Sequence, residues 1–317
     1  PAFFCKPAKG STMSKLCEGR VVIVTGGARG IGREHCLMLA EHGAKVVVND
    51  LGGARDGTGS DQGPADEVVA EIEGMGGEAV ANGDDVSDWE GAQRMVNQAI
   101  ETFGDLTGIV SNAGILRDRM LVNMTEAEWD AVIQVHLKGT FAPARWAASY
   151  WREKAKAGEP VNASIVNTSS VSGLYGNPGQ TNYGVAKMGI AAFTVIAARE
   201  LQRYGVRVNA IAPGALTRMT EDLGLGQASE EDRALMHPRY IAPIVTWLQS
   251  AESADVTGRV FEASGRFLGV ANGWHRGPVS DAVDDPTQIA EVARRLVSEA
   301  QLNSGMDGQP YDGGLLS

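Results

Sequence analysis

Short runs of β-branched and other apolar residues alternate along the chain with stretches whose apolar positions recur every three or four residues. The runs are Val21–Thr25, Val46–Asn49, Ala79–Ala81, Gly108–Ser111, Ser164–Thr168, Val206–Ile211 and Arg259–Phe261. The stretches near 31–42, 64–74, 88–103, 125–151, 182–204 and 238–250 have helical length and period. A strand that is apolar along its whole length is covered on both faces, and helices alternating with such strands supply the cover. The pattern predicts an α/β fold, a single doubly wound domain over residues 18–265 with a seven-stranded parallel sheet. Residues 1–17 read as an N-terminal tail. Beyond about Gly265 the rhythm weakens, and 266–317 read as a C-terminal extension with one late helix in DAVDDPTQIAEVARRLVSEA. Leu51–Pro64, rich in glycine, reads as a mobile surface loop.

Composition narrows the partners. The 317 residues carry 28 basic and 39 acidic side chains, a formal charge of −11 that argues against nonspecific binding to nucleic acid. No apolar run reaches the length of about 18 residues that a membrane-spanning helix needs, so no membrane association is expected. The opening PAFFCKPAKGSTMSKLCEGR lacks the basic-then-apolar order of a secretory signal, and the closing GGLLS is not a peroxisomal address. Cys5, Cys17 and Cys36 show no metal-ligand or redox spacing. Sparse thiols fit a reducing compartment, so a cytoplasmic protein without a metal is expected.

Candidate chemistry begins at residues 25–32, TGGARGIG, which follow the first strand at the mouth of a helix. Gly26 permits a tight turn, Gly30 a close backbone approach, and Gly32 close packing of helix on strand. The free N–H groups of this turn, which includes Arg29 and Ile31, and the positive end of the helix dipole suit a pyrophosphate. The spacing of the first two glycines is longer than in the common Rossmann fingerprint. Asp50 ends the second strand, 18 residues past Gly32, where a carboxylate bonds both hydroxyls of an adenosine ribose and repels a 2′-phosphate. Arg29 pulls the other way, because a guanidinium pairs with that phosphate. The placement of Asp50 favours NAD over NADP. Asp85-Val86 ends the third strand and SNAG (Ser111–Gly114) the fourth. Ligands of an open parallel sheet lie across these carboxyl ends, so Asp85, Val86, Asn112, Ala113 and Gly114 are candidates for the adenine slot and cofactor floor.

In SVSGLYGNPGQTNYGVAK, Ser170 precedes Tyr183 by thirteen residues and Lys187 follows it by four. Residues four apart share a helix face, so Tyr183 and Lys187 point into one cleft, where a serine at a strand end can meet them. An ammonium beside a phenol favours phenolate and is expected to bring the tyrosine below its usual pKa of about 10. That provides a proton-transfer group for alcohol oxidation near neutral pH.

TGGARGIG, Asp85-Val86, SNAG, Ser170, Tyr183, Lys187 and Pro213-Gly214 stand in the order and spacing of the short-chain dehydrogenase/reductase family, which the sequence resembles over about residues 18–262. VVVNDLGG, GGEAVAN, NAGILRDRM, VHLKGTF, SGLYGNPGQTNY and IAPIVTWL narrow the likeness. They resemble the (3R)-hydroxyacyl-CoA dehydrogenase unit of peroxisomal multifunctional type 2 enzymes, also called 17β-hydroxysteroid dehydrogenase type 4, and its stand-alone bacterial relatives. The resemblance implies a Rossmann-type enzyme that interconverts a secondary alcohol and a ketone. Tyr183 would exchange a proton with the substrate oxygen, Ser170 would bond that oxygen, and Lys187 would grip the nicotinamide ribose. Pro213 and Gly214 join the cofactor set. Many family members hold a relay water with an asparagine where this chain has His136, and the imidazole, able to titrate near neutrality, is expected to serve the relay. A family threonine five residues past the proline meets the carboxamide; here Thr217 and Thr220 flank that position, and Thr217 is preferred.

Three functional readings follow. The first is an NAD-dependent 3-hydroxyacyl-CoA dehydrogenase of β-oxidation, extending to steroid side chains. The second is a dehydrogenase of free steroid or other secondary alcohols, and the third is a non-catalytic dinucleotide sensor, against which the intact Ser-Tyr-Lys set argues. Arg117, Arg119, Arg218 and Arg239 are candidate cations for CoA phosphates, and the segment from Pro213 to Pro238 reads as a substrate lid. Small residues on two helices (Ala142, Ala144, Ala147, Ala148; Ala191, Ala192, Ala197, Ala198) suggest pairing between subunits in a homodimer or tetramer, or packing against the sheet.

Overall fold

The computed structural model describes residues 15–54, 56–59, 63–215 and 229–311. Strands β1 (Val21–Thr25), β2 (Lys45–Asn49), β3 (Glu78–Asn82), β4 (Gly108–Ser111), β5 (Ala163–Thr168), β6 (Val206–Gly214), β7 (Val260–Ser264) and β8 (Leu268–Ala271) form one sheet. Their order is β3-β2-β1-β4-β5-β6-β7-β8. Neighbours are parallel as far as β7, in registers such as Ile23 opposite Val47 and Ile109. The sheet therefore has eight strands instead of the expected seven, because β8 pairs antiparallel to β7. A tight turn makes that last strand: Ser264 N–H donates to Phe267 O at 3.0 Å, and the Ser264 hydroxyl accepts from Arg266 N–H at 3.1 Å. The strand is only four residues long, and Leu268 and Val270 are exposed on it.

Helices cover both faces. The core between the sheet and helices α1 (Gly30–Glu41), α2 (Gly63–Gly74) and α8 (Ala242–Gln249) includes Leu39, Ile72, Val245 and Leu248. On the opposite face, α3 (Trp89–Phe103), α5 (Gly139–Lys156) and α6 (Thr181–Leu201) enclose Met95, Ala147, Trp151 and Ala197. Burying one such aliphatic or aromatic side chain contributes about 1.5–3 kcal/mol. Ala142, Ala144, Ala147, Ala191, Ala197 and Ala198 are buried within the chain itself. Of the other two alanines, Ala148 is half-buried and Ala192 exposed, and the large exposed apolar residues of α5 and α6 are Phe141, Val185, Val195 and Ile196.

The single helix expected over 125–151 is broken in two. α4 (Glu126–Ile133) starts in a capping box between Thr125 and Glu128, and a π-helical turn, Gln134–Lys138, joins it to α5. The late helix is only α9 (Ile289–Glu299), preceded by a turn in which Asp285 accepts from Thr287 N–H at 2.9 Å. Asp285 stands before Pro286, which disfavours helix there. A short helix α7 (Glu230–Leu235) precedes α8.

From β1 the chain winds to β2 and β3 on one side, then returns to β4 on the other. Loops leaving adjacent strands diverge at that reversal and open a crevice at the strands' carboxyl ends.

Candidate active site

The crevice is a cavity of about 970 Å³ bordered by Gly26, Arg29, Gly30, Ile31, Asp50, Asp85, Val86, Asn112, Ala113 and Gly114. Every predicted nucleotide-binding residue before position 115 borders it except Gly32, which lies beneath. A methyl group at Gly32 would sit 1.9 Å from Gly26 O, so only glycine lets α1 start this close to the turn. Gly26 has φ of 63°, and a Cβ there would approach Ala113 Cα to 2.9 Å. The N-cap of α1 is Arg29, whose side chain makes no capping hydrogen bond. The helix thus presents its first amides to the crevice.

Asp50 lies just past β2. Its Oδ2 accepts from Ala28 N–H at 3.0 Å and its Oδ1 from Gly52 N–H at 2.8 Å. Each carboxylate oxygen accepts more than one hydrogen bond, so the group is fixed and still able to receive hydroxyls. Asp85 and Val86 lie three and four residues beyond the end of β3, not at it. The loop between them and the strand is held by a buried amide pair, with Asn49 Nδ2 donating to Asn82 Oδ1 at 2.7 Å and to Asp84 O at 2.8 Å. The Asn112 side chain turns inward. Its Nδ2 donates to Thr25 O and Gly26 O, both at 3.1 Å, clasping the glycine turn.

The glycine-rich loop after Asp50 folds back over the crevice where it is described: Ala54 N–H donates to Thr58 O at 2.7 Å, and Arg117 Nε donates to Asp56 O at 3.0 Å. Arg117 is therefore engaged within the chain, and Arg119 pairs with Glu128 at 3.1 Å. Arg239 is exposed on the 3₁₀ turn Pro238–Tyr240. Pro213 and Gly214 end β6, opposite Ala263 and Ser264. Thr217, Thr220, Arg218 and half of the expected lid lie outside the described residues.

Ser170, Tyr183 and Lys187 come together as predicted. Ser170 follows β5, and Tyr183 and Lys187 stand on the first turns of α6. Lys187 Nζ is buried, donates to Thr168 O at 2.7 Å and lies 5.4 Å from the Tyr183 ring centroid. Burial pushes Lys187 down to about 7. Burial also pushes Tyr183 up to about 12; the neighbouring Ser170 hydroxyl acts against that push and the Asp118 charge adds to it. The expected lowering of the phenol by Lys187 does not occur here, because loss of water dominates and the Ser170 hydroxyl alone opposes it. Part of the tyrosine stays open to solvent.

His136 lies inside the π-helical turn and is buried. π-Helical turns recur at functional sites because they re-aim a side chain. Here Nε2 sits 2.9 Å from Ile115 O and 3.2 Å from Ile115 N. The ring meets Tyr183 edge-on at 5.2 Å between centroids. A Cβ at Gly114 would strike His136 Cε1 at 2.4 Å, so the last glycine of SNAG makes room for this imidazole. Burial lowers His136 to about 3, so it stays neutral near pH 7, contrary to the expectation that it titrates there.

Two residues just before Tyr183 were not singled out in the sequence. Asn182, fully buried, donates to Arg117 O at 2.9 Å and Glu128 O at 3.1 Å and accepts from Tyr183 N–H at 2.8 Å. Gln180, also buried, donates to Asp118 at 2.8 Å. Both amides lie in the run GQTNY, where polar residues look like ordinary turn chemistry.

The chain matches the family described as short chain dehydrogenase over residues 20–227. It is 43% identical over 286 residues to a short-chain type dehydrogenase/reductase of Mycobacterium tuberculosis, covering 90% of this chain and 96% of that one. It is 42% identical to hydroxyacyl-CoA dehydrogenase ChsB1 of the same organism, over 87% of this chain and 88% of that one. Peroxisomal multifunctional enzyme type 2 of Mus musculus is 42% identical over 82% of this chain, which spans 33% of that longer protein. A crystal structure of a short chain dehydrogenase from Mycobacterium avium superposes with a TM-score of 0.82 at 48% identity, covering 92% of this chain and 98% of that one.

Proposed function

This chain belongs to the short-chain dehydrogenase family, and we propose that it is an NAD-dependent 3-hydroxyacyl-CoA dehydrogenase that forms 3-oxoacyl thioesters in β-oxidation. The uncapped start of α1, the space kept by Gly26 and Gly32, and the fixed Asp50 carboxylate fit a dinucleotide. Arg29, Gly30 and Ile31 would hold its pyrophosphate, Asp50 its adenosine ribose, Asp85 and Val86 its adenine, and Lys187 its second ribose. A nicotinamide bound there supplies the two-electron oxidation or reduction of the carbinol carbon.

Tyr183 removes the hydroxyl proton during oxidation and returns it during reduction. Ser170 stabilises charge on the same oxygen. His136, neutral and anchored on Ile115, serves the proton relay as a donor and acceptor instead of a titrating group, and its Nδ1 has no hydrogen-bond partner among the described residues. The convergence of Ser170, Tyr183 and Lys187 beside the crevice carries the redox reading. The thioester rests on the likeness to the hydroxyacyl-CoA dehydrogenase along most of both chains.

The pairing of Arg119 with Glu128 occupies one of the candidate CoA cations and favours a second reading, oxidation of free secondary alcohols such as steroids. The exposed Phe141, Val195 and Ile196 suit a homodimer or tetramer, and the unpaired buried thiols Cys17 and Cys36 suit a cytoplasmic setting. Oxidation of NADH and NADPH is to be compared with acetoacetyl-CoA and with a free ketosteroid. Faster turnover of acetoacetyl-CoA with NADH is expected. Turnover of the ketosteroid alone would install the second reading, and preference for NADPH would remove the assignment of Asp50.

A further inference from the structure

Met120, Leu121 and Val122 stand side by side in the solvent, 57%, 65% and 88% exposed. Three consecutive large apolar residues on a surface call for a partner. Their position says which. Arg119 N–H donates to Gly179 O at 2.8 Å, Gln180 donates to Asp118 at 2.8 Å, and Asn182 donates to Arg117 O at 2.9 Å. Residues 117–119 are thereby stapled to the segment that ends in Tyr183, and Asp118 is near enough for its charge to act on the phenol. A methyl group at Gly179 would lie 3.8 Å from Met120 Sδ. On the far side, Thr125 and Glu128 lock the start of α4, and Glu128 also holds Arg119. The apolar turn is thus clamped at both ends, and one of its clamps is the segment that leads directly into Tyr183. An apolar surface held rigid before its ligand arrives loses little entropy when the ligand binds.

We propose that Met120, Leu121 and Val122 form an apolar lip that receives the acyl chain of a long-chain 3-oxoacyl thioester beyond its reacting carbons. The inference rests on the thioester reading above and assigns chain-length preference to this turn.

The test uses the full chain carrying Leu121→Ser and Val122→Ser, with NADH oxidation measured against acetoacetyl-CoA and 3-oxohexadecanoyl-CoA. The ratio of kcat/KM, long chain over short, is expected to fall by about tenfold or more. Val122→Leu, which keeps an apolar surface, should hold the wild-type ratio. An unchanged ratio in the double serine variant overturns the lip. So does a fall accompanied by a smaller sedimenting species, which would assign the turn to contact with a second copy of the chain. Wild-type protein inactive on both thioesters defeats the thioester reading, whereas activity on both with an unmoved ratio defeats the lip alone.

Discussion

The nucleotide end proposed for the crevice is built mainly from backbone, whereas the proposed catalytic end is built from side chains that burial largely shields from water. Gly26 and Gly32 make space, α1 offers its amides, and the carboxylate of Asp50 is held by two backbone N–H groups. Across the floor, Lys187 and His136 are pushed down and Tyr183 up, each chiefly by burial. Backbone donors do not titrate, and desolvated phenols and ammonium groups do so at shifted values. Nucleotide binding and turnover should therefore respond differently to the same perturbation.

The largest separation is expected from Tyr183→Phe. Removing the proton-transfer group should lower kcat about a thousandfold while the dinucleotide Kd, read by titration calorimetry, stays within a few-fold. An equal loss in both would break the division between the two ends. Gly32→Ala is the converse case. Its methyl meets the fixed carbonyl of Gly26, so about 3 kcal/mol of stability should be lost in denaturant melts, with weakened dinucleotide binding in whatever folds.

The smallest effect sharpens the catalytic end. His136→Asn should change kcat only a few-fold and leave the shape of the pH profile intact, because an imidazole lowered to about 3 is already neutral at working pH. The profile itself follows from Tyr183. If it is the base in oxidation, as proposed, it must lose its proton, and burial raises its pKa to about 12, so oxidation should climb steadily as pH rises above neutrality while reduction, which needs the protonated phenol, stays level until the pH nears that value. A pH limb that vanished with His136→Asn would return the titrating role to the histidine.

Much of the site was legible in linear order. The glycine turn, Asp50, SNAG and the Ser-Tyr-Lys spacing each report a local requirement, namely a backbone shape, a strand end or a helix face, and the structure brings the first three to one crevice and the last set together beside it. The electrostatics were not legible. Lys187 four residues from Tyr183 predicts a cation beside a phenol, but how much water remains around the pair depends on β5, the π-helical turn and the loop after β4, none of them near in sequence. The same holds for Gln180 and Asn182, polar residues whose burial only the folded loop reveals.

The chain by itself determined the alternation of strand and helix and the places where glycine is obligatory, because apolar period and steric freedom are properties of neighbouring residues. Only the tertiary structure decided the eighth strand, the inward turn of Asn112, the neutrality of His136 and the engagement of Arg117. Those depend on which distant segments exclude water or supply a carbonyl, and that is a matter of packing in three dimensions.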